Sequence, residues 1–266
     1  MKLCFSTLGC FERSLENIVL LARKYNIDFI EFRGTDGVLD NTATPSFSHA
    51  GIDRSIELLR QSNVVPLVLG TSCSFHNADK YNRAIEEGVA SIRLAQRLGC
   101  RYIRVFGDKL LWGQQDCTER VIAGLSALCD RASGVEILLE VHGDFNTVEA
   151  LSPILDKLSD KSNFGLIWDI EHTHKVYGAH WADFYTFARP YIKHVHIKDY
   201  SDTQKALTLI GEGDVPIGPI VQRLRSDGYD GCFSLEWEKK WHPELPEIET
   251  AMDGFLSVMQ DVSKII

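Results

Sequence analysis

The sequence lacks the features that would put it in a membrane or on a nucleic acid. No window of about eighteen residues is apolar and free of charge, so no membrane helix is expected. Met1-Lys2 runs straight into the short mixed segment Leu3-Cys4-Phe5-Ser6 instead of a long apolar leader, which predicts a cytoplasmic protein. Runs of lysine and arginine are missing too. With 28 basic against 37 acidic residues the net charge is −9, a field that repels phosphate backbones, and nucleic acid is not an expected partner. Glycine and proline stay at ordinary levels and nowhere crowd with serine, so no linker or low-complexity segment divides the chain. One domain over residues 1–266 is the expectation. No Cys-x-x-Cys pair occurs. The seven cysteines (Cys4, Cys10, Cys73, Cys100, Cys117, Cys129 and Cys232) are odd in number and scattered, against both a disulfide framework and a cysteine zinc site.

What is present is an alternation. Short apolar runs at 3–5, 29–32, 64–69, 102–106, 137–141, 164–168, 192–197 and 232–235 read as strands. Amphipathic stretches at 14–25, 53–62, 79–98, 118–132, 147–158, 181–188, 219–227 and 248–262 read as helices. Asn146 with Glu149 fits a helix N-cap and its capping-box partner, while Gly99, Gly134 and Gly228 punctuate the returns to strand. Eight strand–helix units of about 33 residues each predict an α/β chain closed as a single (β/α)8 TIM barrel. An open doubly wound sheet is the competing fold. It is disfavoured because the first run leads into Thr-Leu-Gly-Cys, and no Gly-x-Gly-x-x-Gly turn occurs anywhere.

In such a barrel the chemistry sits where strands end at the C-terminal rim. Four successive runs end in ionisable residues: Glu140, Asp169, the pair His194 and His196, and Glu236. One carboxylate after three or four apolar residues is an ordinary strand-end charge. Four neighbouring strands ending this way predict side chains that converge. Three carboxylates together repel one another unless a cation neutralises them. With one imidazole they form a hard, oxygen-rich set that suits Mn²⁺, Mg²⁺ or Co²⁺ better than Zn²⁺.

Five motifs follow in order: Glu140-Val141-His142-Gly143, Asp169-Ile170-Glu171-His172, His194-Val195-His196-Ile197-Lys198-Asp199, Gly211-Glu212-Gly213-Asp214 and Ser234-Leu235-Glu236. On them the chain resembles the xylose isomerase-like barrel superfamily, and within it the sugar phosphate isomerase/epimerase group. Ile30-Glu31-Phe32-Arg33 extends the likeness weakly through the N-terminal half. The resemblance implies one divalent ion held by Glu140, Asp169, His196 and Glu236. His194 shares the inward face of its strand, two residues deeper, and is the alternative imidazole. Three-zinc apurinic endonucleases of the same superfamily need further histidines after the seventh strand. None follows Asp199 here before the Gly-Glu-Gly-Asp motif.

Other candidates are substrate contacts: His172 on the loop leaving the sixth strand, His142, Lys198, Glu31, and His76 after the third strand. His174 reads as surface, and Glu238-Lys239-Lys240 as a solvated loop. Phe106, Trp112, Trp168 and Trp237 adjoin strand ends and would wall a sugar site, with at least one of the last two packing as core. The five aromatics between Tyr177 and Phe187 read as a buried helix face. The expected function is isomerisation or epimerisation of a ketose-like sugar or polyol, with Glu140 and Glu236 as the two proton-transfer bases. The proton is lost α to a metal-polarised carbonyl, through an enediolate. The alternative on the same site is a dehydratase or lyase acting on a keto-inositol or keto-glycoside. A non-catalytic sugar-binding barrel and a nuclease stand further back. No phosphate-cradling loop is visible, which favours an unphosphorylated substrate. The resemblance also implies a homo-oligomer, since barrels of this family often assemble as such.

Overall fold

The computed structural model describes residues 1–110 and 116–264. Eight parallel strands close on themselves: β1 (Lys2–Ser6), β2 (Phe29–Phe32), β3 (Val65–Ser74), β4 (Tyr102–Phe106), β5 (Glu136–Glu140), β6 (Phe164–Asp169), β7 (Ile192–Ile197) and β10 (Cys232–Leu235). β1 pairs with both β2 and β10, so the barrel has no free edge. Between β7 and β10 stands a two-stranded antiparallel hairpin, β8 (Asp199–Ser201) and β9 (Ala206–Thr208). The helices are α1 (Leu15–Lys24), α2 (Ile52–Gln61), α3 (Tyr81–Leu98), α4 (Cys117–Cys129), α5 (Val148–Leu158), α6 (Ile170–Tyr177), α7 (Trp181–Ala188), α8 (Ile217–Ser226) and α9 (Ile248–Lys264). Among the described residues no helix is long and apolar enough to cross a membrane. The (β/α)8 barrel expected from the alternation is the observed fold.

Three local readings need correction. The first turn of α5 is capped by Thr147, whose hydroxyl accepts from the Ala150 N–H at 3.2 Å, not by Asn146. Gly99, Gly134 and Gly228 do take positive φ, as the helix-ending positions require. The alternation predicts neither the hairpin β8–β9 nor helix α6, which occupies the place of the loop leaving the sixth strand. α6 starts directly after Asp169, with no polar spacer between strand and helix. Asp169 Oδ1 accepts from the Glu171 and His172 N–H groups and is itself the cap, which puts His172 in the first helical turn.

Two separate apolar clusters form among the described residues. The larger lies between the barrel and its helices. The smaller fills the barrel interior with Cys4, Leu67, Val68, Tyr102, Leu138, Ile167 and Cys232. Alternation along a strand sets successive inward side chains two residues apart. Two residues beyond Tyr102, Leu138, Ile167 and Cys232 come Arg104, Glu140, Asp169 and Ser234. An ionisable layer thus rests on an apolar floor, where low polarisability strengthens electrostatic interactions.

Candidate active site

At the C-terminal ends of the strands, Glu140, Asp169, His196 and Glu236 each offer a ligand atom, all within 4.8 Å of one another. Parallel register brings them there: Asp169 pairs with His196, His196 with Ser234, and Glu236 follows β10. All four side chains are buried.

Two cations missed at the sequence level stand among them or beside them. Arg104 of β4 donates to Glu140 Oε2 at 2.6 Å and lies 3.8 Å from Glu236. It is buried, and Gly70 makes room for it, since a Cβ there would lie 3.1 Å from its Nη2. The signal was present: Arg104 interrupts an apolar run on the same face as Tyr102 and Phe106. Arg33 packs against the same glycine, donating to the Leu39 carbonyl and the Ser72 hydroxyl.

Lys198, expected as a substrate contact, is buried inside the cluster. Its Nζ lies 2.6 Å from Asp169 Oδ2, 2.9 Å from Glu236 Oε2 and 2.6 Å from Glu238 Oε1. Glu238 is therefore not a solvated loop charge; it is drawn in because Lys198 is a buried cation with room for a third acceptor. Lys239 donates to the Leu245 carbonyl and Lys240 sits over the Phe11 ring, so this segment folds back on the rim.

Glu31, another expected substrate contact, is wholly buried below the cluster. Its Oε2 lies 2.9 Å from His196 Nε2 and 3.2 Å from His194 Nε2. Both imidazoles meet Oε2, while Glu31 Oε1 makes no hydrogen bond. His142 and His172 come together with ring centroids 4.1 Å apart, and Phe106 stands 5.1 Å from His142. His172 Nε2 is 4.0 Å from Asp169 Oδ2. His76, on the loop after β3, lies 3.5 Å from Asp108.

The remaining sequence readings divide. Trp168 and Trp237 are both fully packed: Trp168 stacks on Tyr185 and donates to Thr173, and Trp237 donates to the Pro246 carbonyl. Neither walls the site, because each side chain points away from the barrel axis into the helix layer or the rim. Of the aromatic helix face, Phe184 and Tyr185 are buried, whereas Tyr177, Trp181 and Phe187 are only partly so. His174 is buried rather than on the surface, 3.1 Å from Asp202 Oδ2. Trp112 lies outside the described residues.

Charge decides what the site will accept. Four buried carboxylates, Glu31, Glu140, Asp169 and Glu236, meet two permanent buried cations within ion-pair reach, Arg104 and Lys198. With His196 neutral, as a metal ligand must be, four against two leaves an excess of two negative charges, the amount a divalent ion neutralises. Asp169 Oδ2 and Glu236 Oε2 also make no aligned hydrogen bond, even with Lys198 close by. The donor set fits a divalent metal.

The same fields set the protonation states. Burial raises Glu140 and Glu236, but Arg104 at the first and His196 and Lys198 at the second outweigh it and hold both ionised. Burial dominates at Asp169 and pushes it up against the pull of Lys198. Burial also opposes a charge on His196, yet Glu236, Glu31 and Glu140 carry it well above the usual imidazole range. His172 goes the other way. Burial, then Lys198 and His142, push it down to about 3 and keep it neutral.

A closed parallel barrel with an acidic, histidine-bearing rim defines a class. Residues 19–258 match the family profile of the xylose isomerase-like TIM barrel, and the chain belongs to that family. Among solved structures it is similar to a probable 3-DHS dehydratase, AsbF, from Bacillus anthracis. That pair has a TM-score of 0.80 at 18% identity over 97% of this chain and 99% of that one. It is also similar to the IOLI protein solved with a bound zinc atom, with a TM-score of 0.78 at 24% identity over 98% of each chain. A D-tagatose 3-epimerase-like protein gives 0.79 at 22% identity, over 100% of this chain and 98% of that one. Comparison with curated proteins found no match.

Proposed function

We propose that the chain, as one (β/α)8 domain, is a divalent-metal-dependent isomerase or epimerase of a ketose-like sugar or polyol. One observation carries this reading: four buried ligand atoms from Glu140, Asp169, His196 and Glu236, within 4.8 Å of one another over an apolar floor. Those residues would hold the ion. Bound there, it would supply Lewis-acid polarisation of a carbonyl and stabilise the negative charge that grows as the adjacent C–H bond breaks. Three oxygen donors and one nitrogen suit Mn²⁺, Mg²⁺ or Co²⁺. The seven buried, unbridged cysteines support a reducing cytoplasmic compartment.

Proton transfer falls to the chain's own carboxylates. Glu140 ends β5 and Glu236 follows β10, with β6 and β7 between them. Both rest ionised, so one would accept the α proton, and its counterpart, having first drawn a proton from solvent, would return it to the opposite face. The Phe106, His142 and His172 rings cover the apolar side of a sugar, and neutral His172 can exchange hydrogen bonds with its hydroxyls. Lys198 would donate to a substrate oxygen in place of one of its three carboxylate partners. His76 would meet the distal end of the substrate.

The test is deuterium exchange. With Mn²⁺ and a panel of keto-sugars and keto-polyols in deuterated water, the protein should place deuterium beside the carbonyl and release an epimer or an aldose–ketose isomer. Glu236→Gln should lower turnover by ~10²–10⁴-fold while remaining folded. A protein that binds the ion yet exchanges no proton on any member would overturn the proposal. A second reading, dehydration, is supported by the similarity to the dehydratase and by the Lys198 ammonium, a proton source for a departing hydroxyl. A product lighter by one water would select it.

A further inference from the structure

Resting on the metal centre proposed above, we infer that Glu31 is a positioning residue: it takes the Nε2–H of His196 and so fixes Nδ1 as the atom that binds the ion. The two edges of the His196 ring face different partners. Nδ1 lies 3.2 Å from Glu140 Oε1 and 3.2 Å from Glu236 Oε2, inside the ligand set. Nε2 lies 2.9 Å from Glu31 Oε2, on the far side and deeper in the barrel. A neutral imidazole has one N–H and one lone pair, and an ionised carboxylate only accepts. With an ion in place of the Nδ1 proton, the remaining proton would sit on Nε2 toward Glu31 and the Nδ1 lone pair would face the ion. With the ion bound, the reverse tautomer would set a lone pair against Glu31 Oε2 and a proton against the ion.

Glu31 is held for this task from a second direction. His194 Nε2 approaches the same oxygen at 3.2 Å, and Ser234 Oγ is 3.5 Å away. The two histidine rings stand at 85° to each other, so they reach one oxygen from different sides. This pinning is what turning the His196 ring would have to break. It also assigns His194, the alternative ligand by sequence, to holding Glu31.

Glu31, His194 and His196 themselves bring three ligand atoms within 4.8 Å, and a second ion there is the rival occupant. Hydrogen bonding accounts better for the spacing. The 2.9 Å contact has hydrogen-bond length, whereas donors around one tetrahedral ion with bonds of ~2.05 Å stand about 3.3 Å apart. A second ion would also need the Nε2 proton of His196 removed, leaving one imidazolate between two metals.

The experiment is Mn²⁺ binding by chelator competition on the full chain, with imidazole ¹⁵N spectra of the parent. The parent should bind one ion. Glu31→Gln, which keeps size and burial, should still bind one but 10–100-fold more weakly. His194→Asn should stay within a few-fold of the parent. In ¹⁵N-histidine-labelled parent, Mg²⁺ or Zn²⁺ should shift His196 Nδ1 while Nε2 keeps its proton, a result that does not depend on any variant folding. Unchanged affinity in Glu31→Gln, loss of the Nε2 proton on metal binding, or a second ion lost in His194→Asn would each overturn the inference. A parent that takes up no divalent ion would instead sink the metal-dependent reading beneath it.

Discussion

His172 shows how burial, more than any neighbour, sets the state of a single side chain. Its pKa lies near 3 in the folded chain, first because burial disfavours the imidazolium, then because Lys198 and His142 add positive charge nearby. In the unfolded chain it titrates near 6.5. Between those values the unfolded chain binds a proton that the folded one does not, so His172 costs stability as the pH falls below 6.5. Above 6.5 both states are neutral and the cost vanishes. Urea denaturation of chelator-treated protein should show His172→Gln gaining on the parent by up to about 1.4 kcal/mol between pH 7.5 and 5.5. Equal pH dependence in the two would show that the imidazole is protonated in place. At this scale the carboxylates were legible because charged residues ending apolar strands stand out. Arg104 was not, because attention to strand ends passes over a charge inside a strand. The histidine partners of Glu31 were not legible, because nothing in Ile-Glu-Phe says which histidines lie across the barrel.

Elements meet most closely at Asp169, where a strand ends, a helix begins and the cluster is reached within one residue. Oδ1 caps α6, and Oδ2 faces Lys198. The helix also points its positive end at the carboxylate. The two duties separate by substitution. Asparagine caps as well as aspartate, so Asp169→Asn should keep its thermal stability within about 1 kcal/mol while losing divalent-ion binding. Asp169→Ala should lose the ion and a further 0.5–2 kcal/mol or so with the cap. Equal unfolding curves for the two would mean the cap contributes nothing. The hairpin region is organised by the same means. Asp199 accepts from the N–H groups of Gly211, Gly213 and Val215, so this glycine-rich loop turns its donors onto the protein's own carboxylate, not a phosphate. A Cβ on Gly213 would fall 2.2 Å from Asp199 Oδ1, which is why glycine stands there. Neither α6 nor the hairpin was legible, because each is defined by a carboxylate folding back on nearby backbone and not by apolar periodicity.

Across the whole molecule the eight-fold alternation was readable, because each strand is buried on both faces and appears as a continuous apolar run. Closure itself is a long-range matter. It rests on β1 pairing with β10 and on Arg13, ahead of α1, gripping Glu249 of α9 through two hydrogen bonds of 2.7 and 2.9 Å. An ion in the rim would tie four strands together at once. At a hundred times its dissociation constant it stabilises by about 2.7 kcal/mol, or roughly 5–10 °C for a chain of this size. Calorimetry should show that rise on adding Mn²⁺ to the parent and not to Glu140→Gln. A rise in both would locate the ion elsewhere.

The apolar cluster inside the barrel has one more consequence. Because Cys4, Leu67, Tyr102, Leu138, Ile167 and Cys232 stopper one end, the barrel is a cup and not a tube. Anything that binds at the rim must leave through the mouth by which it came. Ligands therefore load and unload in stacking order: the deepest enters first and departs last.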